Sequence, residues 1–280
     1  MAQQKIAVKT RTTDTVFVTF GTPNFSQARE RYLRSLARFG YSNVRAFEQD
    51  SAPVTKARAE NPEVFSHARG YGYWLWKPYI IEAAMADAAP GARIFYTDIA
   101  MEMVGSPARL FEIAGDREVC TFRVGGGLRQ RYYTKRDAFV LLDADGPEYW
   151  DDEMINGGFL LLRNASRAQR FVQDWKTAMR DFRLLSDAPN TQSLENLHEF
   201  RTHRHDQSIM SILATRHKLP ILADPSQWGE AARSPEEATA SERMIAAPFG
   251  QVFAQHRYRD ASWTRRAGRW IKLGLRRAVS

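Results

Sequence analysis

Short apolar runs alternate with longer amphipathic stretches along this chain. Residues 15–21 (TVFVTFG) are β-branched or aromatic and end in glycine, which predicts a buried strand. Residues 26–40 carry apolar positions at helical spacing between Ser26 and Gly40, which are typical start and stop residues of a helix. Residues 43–49 then alternate as a second strand. This order predicts a β–α–β unit with two parallel strands.

The same alternation continues over the next two hundred residues. Apolar runs predict further strands, and 3.6-residue periodicity predicts further helices. The predicted strands are residues 92–103, 118–124, 156–164 and 219–225, and the predicted helices are residues 77–89, 166–182 and 206–218. The polar residues 51–66 are expected to be irregular. The pattern indicates a single α/β domain with a mostly parallel sheet flanked by helices, whose ligands bind beyond the carboxyl ends of the strands.

Composition narrows the class of protein. The chain has 280 residues, enough for one sizeable α/β domain. Cys120 is the only cysteine, so neither a disulfide framework nor a zinc site built on several cysteines is expected, and a reducing compartment such as the cytoplasm is indicated. We expect no signal peptide and no transmembrane helix, because no apolar run is long enough.

The basic charge is concentrated at the carboxyl end. Residues 257–280 contain eight basic residues and one acid, a net charge of +7 out of +8 for the whole chain. At 100° per residue, Trp263, Trp270 and Ile271 share one face of this segment, opposite several Arg and Lys residues. The pattern predicts a basic amphipathic helix suited to an anionic membrane surface; packing on the domain is the alternative. The near-neutral remainder argues against a nucleic-acid-binding protein.

Two acidic motifs are candidates for cation or phosphate chemistry. Asp98 ends an apolar run (FYTDIAME), where a carboxylate can meet a divalent cation, with Glu102 as a second ligand in place of the absent acid at Ala100. The alternative is an aspartate that caps a turn. Asp143 and Asp145 form a literal Asp-x-Asp, but the following Gly-Pro indicates an ordinary turn.

Histidines and one helix start are the other candidates. His203 and His205 precede Asp206 at a predicted helix start; their spacing does not favour a shared metal, and contact with a polar ligand is the better interpretation. His256, between the domain and the basic segment, is a candidate to complete a metal site begun by Asp98, against the alternative of a surface histidine.

Five motifs in this order resemble bacterial glycosyltransferases of polysaccharide and cell-surface glycan assembly, over about residues 16–256. They are RGYGYWLWKPYII, YTDIAMEM, YYTKRDAF, NGGFLLLRN and HRHDQSIMSIL. The resemblance implies a GT-A-type fold, in which a Rossmann-like nucleotide-binding half is merged with an acceptor-binding half. It also implies a nucleotide diphosphate sugar as donor and a divalent cation, Mn²⁺ or Mg²⁺, at an Asp-x-Asp element that is degenerate here because of Ala100.

The resemblance assigns roles to particular residues. Asp98, Asp206 and Asn156 are expected to be catalytic. Asp98, Glu102 and His256 are expected to hold the metal ion. The expected substrate contacts are Lys77, Trp76, Lys135, Arg136, Gly157, Gln207 and His205. If the reaction inverts the anomeric centre, a carboxylate must deprotonate the acceptor, and Asp151, Asp152 and Asp206 are the candidates.

The sequence thus predicts a glycosyltransferase domain at residues 1–256 and a basic amphipathic segment at residues 257–280. The expected activity is transfer from a nucleotide diphosphate sugar, a UDP-sugar first, to a glycan or lipid-linked acceptor in surface polysaccharide biosynthesis, on the inner face of the cytoplasmic membrane. The alternatives are a sugar-phosphate nucleotidyltransferase, disfavoured because the loop after the first strand lacks a Gly-rich, Lys-bearing motif, and a basic-tailed binding protein without catalytic activity.

Overall fold

The computed structural model describes residues 15–124, 128–229 and 242–256. The basic amphipathic helix predicted at residues 257–280 lies outside these ranges. Within them, no helix is long and apolar enough to cross a membrane. The strands are β1 (Thr15–Phe20), β2 (Val44–Phe47), β3 (Arg93–Thr97), β4 (Met101–Met103), β5 (Val119–Phe122), β6 (Phe159–Arg163), β7 (Ile221–Leu222) and β8 (Phe253–Gln255).

The helices lie between these strands as the alternation predicts. They are α1 (Ser26–Arg38), α2 (Ala52–Glu60), α3 (Pro62–Phe65), α4 (Gly70–Tyr73), α5 (Trp76–Asp87), α6 (Ala108–Ala114), α7 (Arg136–Leu141), α8 (Pro147–Trp150), α9 (Ser166–Met179), α10 (Phe182–Leu185) and α11 (Asp206–Arg216). The prediction that residues 51–66 are irregular is wrong. They form α2 and α3, each with a proline in its first turn, where the missing N–H costs nothing.

One mixed sheet of six described strands organises the domain. The strand order is β2-β1-β3-β6-β5-β7, and a separate pair joins β4 to β8. β1 is parallel to β2 and β3, and β5 is parallel to β7, whereas β6 is antiparallel to both of its neighbours. The predicted mostly parallel sheet is therefore confirmed. The carboxyl ends of the parallel strands and the start of β6 share one edge of the sheet.

Helices cover both faces of this sheet, which explains its nearly unbroken apolar strands. Every residue of β1 is buried. Along β3, Ile94 and Tyr96 point into a core shared with α2, α5, α9 and α11, while Phe95 points into a second core with α1, α6, β4 and β8. Residues 92–103 were expected to form one strand. They divide into β3 and β4, and the break between them contains Asp98.

Candidate functional site

A buried ammonium group forms the centre of the candidate site at the carboxyl edge of the sheet. The side chain of Lys77, in the first turn of α5, is 3% exposed. Its Nζ donates to the carbonyl of Gly157 at 2.8 Å and to Oδ2 of Asp206 at 2.7 Å. Oδ1 of Asp98 lies 3.6 Å from the same nitrogen. Three oxygens thus face the three N–H groups of a lysine. This arrangement makes Lys77 a bridge between two carboxylates, and its role as a substrate contact stays a prediction.

Three separate elements deliver the acceptors of this bridge. Asp98 directly follows β3, Gly157 precedes β6, and Asp206 is the first residue of α11. A Cβ at Gly157 would lie 3.1 Å from Cβ of Gln207 and 3.2 Å from Oδ2 of Asp206. The absence of a side chain at position 157 therefore allows the start of β6 to approach α11 closely enough for the Lys77 contacts.

The protonation states of Lys77 and Asp206 depend on the balance between burial and ion pairing, which act on each pKa in opposite directions. Burial acts to lower the pKa of Lys77, but the nearby carboxylates of Asp206 and Asp98 outweigh it and raise that pKa above its ordinary value. Burial raises the pKa of Asp206 to about 6, with Lys77 opposing the rise. At neutral pH the cluster therefore holds one ammonium and two carboxylates, a net charge of −1. Such a site favours hydroxyl groups and developing positive charge over an anionic phosphate.

Asp98 is the member of the cluster that a ligand can reach. Its side chain is 37% exposed, whereas that of Asp206 is 6% exposed. The hydroxyl of Tyr96 donates to Oδ1 of Asp98 at 2.6 Å. Burial first, and the carboxylate of Asp98 second, raise the pKa of Tyr96 well above its ordinary value, so Tyr96 keeps its proton. Within the described ranges, no hydrogen bond reaches Oδ2 of Asp98, which leaves this oxygen for a ligand.

A chain of hydrogen bonds connects this cluster to the residue Asp224, which follows β7 at the other end of the strand order. Asp224, which follows β7, accepts from Nδ2 of Asn156 at 2.7 Å. Oδ1 of Asn156 in turn accepts from the N–H of Gly158 at 2.8 Å, and the carbonyl of Gly158 accepts from the N–H of Asp98 at 3.0 Å. Asn156 was expected to be catalytic. The structure gives it a supporting position, because both ends of its carboxamide already bond to protein.

The three predicted metal ligands are not gathered into one group. Nε2 of His256 lies 3.2 Å from Oε2 of Glu102, and Arg38 lies 3.4 Å from the other oxygen of that carboxylate. Ala100 contributes no side-chain oxygen, although its carbonyl accepts from the N–H of His256 at 2.8 Å. Within the described ranges, no group of three or more His, Cys, Asp or Glu residues is placed to hold a metal ion. Of the predicted ligands, Asp98 alone lies in the Lys77 cluster.

The predicted aromatic and histidine contacts are interior. Trp76 is buried; its indole packs against the tilted ring of Phe20 with centroids 4.0 Å apart, and its N–H donates to the carbonyl of Gly70 at 2.9 Å. His205 is also buried, and its Nδ1 lies 2.8 Å from the carbonyl of Leu185. Burial lowers the pKa of His205, so its ring is neutral at pH 7. These residues shape the wall of the site from behind.

The predicted basic contacts are also engaged with protein groups. Lys135 is buried and donates to the carbonyl of Ala188 at 2.6 Å. Arg136 pairs with Asp145 at 2.8 Å, which gives that turn acid a structural partner. Gln207 is placed differently. It follows Asp206 in the first turn of α11, with its Cβ beside Gly157, and so stays a candidate contact at the site edge.

Sequence reasoning missed three residues of this site. Tyr96, Asp224 and Trp74 hold or border the cluster, but none was singled out. Tyr96 lies within the apolar sequence of β3, which gave no separate signal for it. Asp224 lies only two residues beyond a two-residue strand, and its position after that strand was the one available signal. Trp74 was visible in the aromatic motif but was not distinguished from Trp76.

Comparison with known proteins gives distant structural similarity only. No protein-family model and no curated protein sequence matches the chain. Mouse xyloside xylosyltransferase 1 in its apo form is similar with a TM-score of 0.46 and 12% identity, covering 89% of this chain and 99% of that one. The galactosyltransferase LgtC in complex with donor and acceptor sugar analogues has a TM-score of 0.44 and 10% identity, covering 90% and 93%. The apo glycosyltransferase GlyE of Streptococcus pneumoniae TIGR4 has a TM-score of 0.38 and 16% identity, covering 75% and 45%.

Proposed function

We propose that this chain is a glycosyltransferase that moves a sugar from a nucleotide diphosphate sugar, first of all a UDP-sugar, to a glycan or lipid-linked acceptor. The observation that carries the proposal is the Lys77 bridge between Asp98 and Asp206 at the carboxyl edge of the sheet. This edge is where open α/β sheets bind their ligands. The motif resemblance described for the sequence supports the same class of reaction.

The charge of the cluster suits the proposed chemistry. As the bond to the diphosphate breaks, the anomeric carbon becomes cationic, and fixed carboxylates stabilise positive charge developing beside them. Lys77 keeps Asp206 ionised and oriented, and Oδ2 of Asp98 accepts a hydrogen bond from a sugar hydroxyl. Asp151 and Asp152 are two of the candidate bases. They pair with Arg131 and Arg243 respectively, so we assign the role of base to neither.

Asp98 is the residue that we propose to bind a divalent cation. Mg²⁺ commonly uses one or two carboxylates together with substrate phosphates instead of a cage built by protein alone. Asp98 has the exposed carboxylate for such a contact, and the two lone pairs of its open oxygen allow a metal bond beside the hydrogen bond from the sugar hydroxyl. A bound Mn²⁺ or Mg²⁺ would offset negative charge on the departing diphosphate. Glu102 and His256 instead contact each other at the edge of the β4–β8 ribbon, with Nε2 of His256 3.2 Å from Oε2 of Glu102.

The basic segment supports a place at a membrane surface. Residues 257–280 combine two Trp residues on one face with Arg and Lys on the other, the pattern of a helix that binds anionic lipid. We propose that it holds the enzyme on the inner face of the cytoplasmic membrane, near a lipid-linked acceptor for surface polysaccharide. Replacing Trp263 and Trp270 with Ser is expected to release the chain from vesicles containing phosphatidylglycerol. Unchanged vesicle binding would contradict this part of the proposal.

Release of nucleoside diphosphate tests the proposed activity. Purified chain is incubated with UDP-glucose, UDP-galactose, UDP-N-acetylglucosamine and GDP-mannose, with and without Mn²⁺, and products are separated by chromatography. At least one donor is expected to be hydrolysed or transferred, with loss of activity in Asp98→Asn. Asp145→Asn, which changes an acid paired with Arg136 outside the cluster, is the matched control. Near-normal turnover of Asp98→Asn would refute the role given to this residue.

A further inference from the structure

The aromatic segment before α5 has an unusual backbone. Five consecutive residues, from Gly70 to Trp74, have φ between 49° and 81°. Hydrogen bonds from Tyr73 to Arg69 and from Trp74 to Gly70 span four residues each, as in a helical turn of left-handed twist. Such a conformation is unfavourable for each residue that is not glycine, because its Cβ comes too close to the following carbonyl oxygen. Tyr71, Tyr73 and Trp74 all carry this cost, and strained backbone of this kind is concentrated at ligand-binding sites.

Packing holds the segment in this strained form. A Cβ at Gly70 would lie 2.4 Å from the indole of Trp74, and a Cβ at Gly72 would lie 2.9 Å from the ring of Phe65. The ring of His205 stacks on the indole of Trp74, with centroids 5.6 Å apart and 29° between the planes. The position of the Trp74 side chain is therefore fixed by its own turn and by the residue that precedes Asp206.

The Trp74 side chain borders the charged cluster. Its ring centroid is 6.0 Å from Nζ of Lys77. The indoles of Trp76 and Trp175 donate to the carbonyls of Gly70 at 2.9 Å and Asp206 at 3.2 Å, and both residues are buried. Trp74 is only half-buried, and its N–H donates to no acceptor within the described ranges. Among the indoles beside this cluster in the described residues, that of Trp74 thus still has a donor and is partly exposed.

We propose that Trp74 is a sugar-contacting, specificity-determining residue, whose ring edge packs against a pyranose ring and whose N–H donates to one of its hydroxyls. This inference rests on the proposed transferase function and deepens it. An aromatic surface with one polar atom, next to carboxylates that accept hydroxyl protons, matches a ligand with alternating C–H and O–H groups. The strained turn fixes the indole in position before the sugar binds, which removes an ordering cost from binding.

Steady-state kinetics of Trp74→Phe tests the inference. The probes are the nucleotide sugar that the donor panel identifies and methyl hexopyranosides as acceptors. Trp74→Phe keeps an aromatic ring for packing on His205 but removes the N–H. It is expected to raise one KM about fivefold, as for loss of one hydrogen bond, while kcat changes less. Trp150→Phe is the control, because the indole of Trp150 bonds to Asp145 at 3.2 Å instead of bordering the cluster.

Donor hydrolysis without acceptor and sugar transfer to the acceptor, measured separately, distinguish which sugar Trp74 contacts. A raised KM for donor hydrolysis without acceptor assigns the donor sugar; a raised acceptor KM with normal donor hydrolysis assigns the acceptor. Thermal unfolding is measured alongside, and an unchanged transition shows that the effect is local. Wild-type turnover with both KM values unaltered in Trp74→Phe overturns this inference alone. A wild-type chain that neither turns over nor binds any nucleotide sugar of the panel overturns the proposed function and this inference together.

Discussion

Lys77 shows that the contacts of one residue can depend on parts of the chain that lie far from it in sequence. In the sequence, Lys77 is a cation at the start of a predicted helix, and the resemblance makes it an expected substrate contact. The structure places two carboxylates and a carbonyl around it. The residues that contribute these oxygens, Asp98, Gly157 and Asp206, lie 21, 80 and 129 positions away in sequence. Local pattern cannot reveal such partners, because they depend on how the strand ends meet. Asp98, which follows a single apolar run, was predictable by contrast.

Removal of the Lys77 charge is expected to destabilise the fold. Lys77→Met leaves the carboxylates of Asp206 and Asp98 close together without a cation, and breaking a buried pair in this way costs about 3–5 kcal/mol. Arg34→Met is the control, since the exposed pair of Arg34 with Glu30 is worth less than about 1 kcal/mol. Urea unfolding measures both variants. Equal free energies of unfolding for the two would contradict a stabilising bridge at Lys77.

Asp206 is expected to set an acidic limit for the proposed reaction. The proposed role needs its carboxylate, and burial raises its pKa to about 6, so turnover is expected to fall as pH drops through that value. Stability has the opposite sign: because the folded pKa lies above the reference value of 3.8, this group stabilises the fold most below the reference pKa and loses that contribution as pH rises through about 6. Loss of turnover on acidification is therefore expected before any unfolding caused by Asp206.

A pH–rate profile with circular dichroism at each pH checks this limit. Glu82→Gln is the control, because Glu82 lies on a later turn of α5 than Lys77 and pairs with Lys176 of α9. The control is expected to keep the wild-type acidic limb. An Asp206→Asn variant that is as active as wild type and keeps the same limb would show that another group sets it.

At the level of elements, hydrophobic periodicity predicted which segments form helices and strands, but it predicted the ends of some strands poorly. The helix α5 and the strand β5 lie within two residues of their predicted bounds, since a full apolar face fixes both. The predicted strand 156–164 begins three residues later, as β6, because Asn156 and Gly157 are used for contacts at the sheet edge. The left-handed turn at α4 was unpredictable. Only its glycines indicate such a backbone, and Tyr71, Tyr73 and Trp74 adopt it through packing.

Substitution of Gly70 separates backbone strain from ring contact in this turn. Gly40→Ala is the matched control: φ is 82° and a Cβ there meets nothing within 4 Å, so the cost is that of a positive φ, about 1–2 kcal/mol. Gly70→Ala, at φ 58°, adds an overlap with the Trp74 ring, and overpacking adds about 1–3 kcal/mol. Thermal unfolding of both variants is the measurement. Equal losses would show that the Trp74 ring moves away freely.

At the scale of the whole molecule, charge separates into two regions with different tasks. The net charge of +8 lies almost entirely in residues 257–280, whereas the candidate site in the domain has a local charge of −1. The fold class and the edge of the sheet that carries the candidate site followed from the sequence, because alternating strands and helices determine both. The positions of the expected metal ligands did not follow, because no sequence pattern indicated whether Glu102 and His256 face Asp98 or each other.

Cation binding is expected to depend on the nucleotide. Because the described residues offer Asp98 but no group of three ligands, Mn²⁺ added to the chain alone should give no saturable heat in calorimetry. With UDP present, phosphate oxygens supply further ligands and saturable binding is expected. The Asp98→Asn variant should lose this second signal, whereas Glu102→Gln should keep it. Tight Mn²⁺ binding by the chain without nucleotide would indicate a preformed site and contradict this account.

The central claim is that the Lys77, Asp98 and Asp206 cluster binds the sugar of a nucleotide diphosphate donor. Calorimetric titration of the intact chain with the four nucleotide sugars in the presence of Mn²⁺ tests it most directly. At least one nucleotide sugar is expected to bind with one site per chain and more tightly than its free nucleoside diphosphate, and Asp98→Asn is expected to remove that difference. Absence of binding by every donor, or equal affinity for the sugar-free nucleotide in the wild-type chain, would contradict the claim.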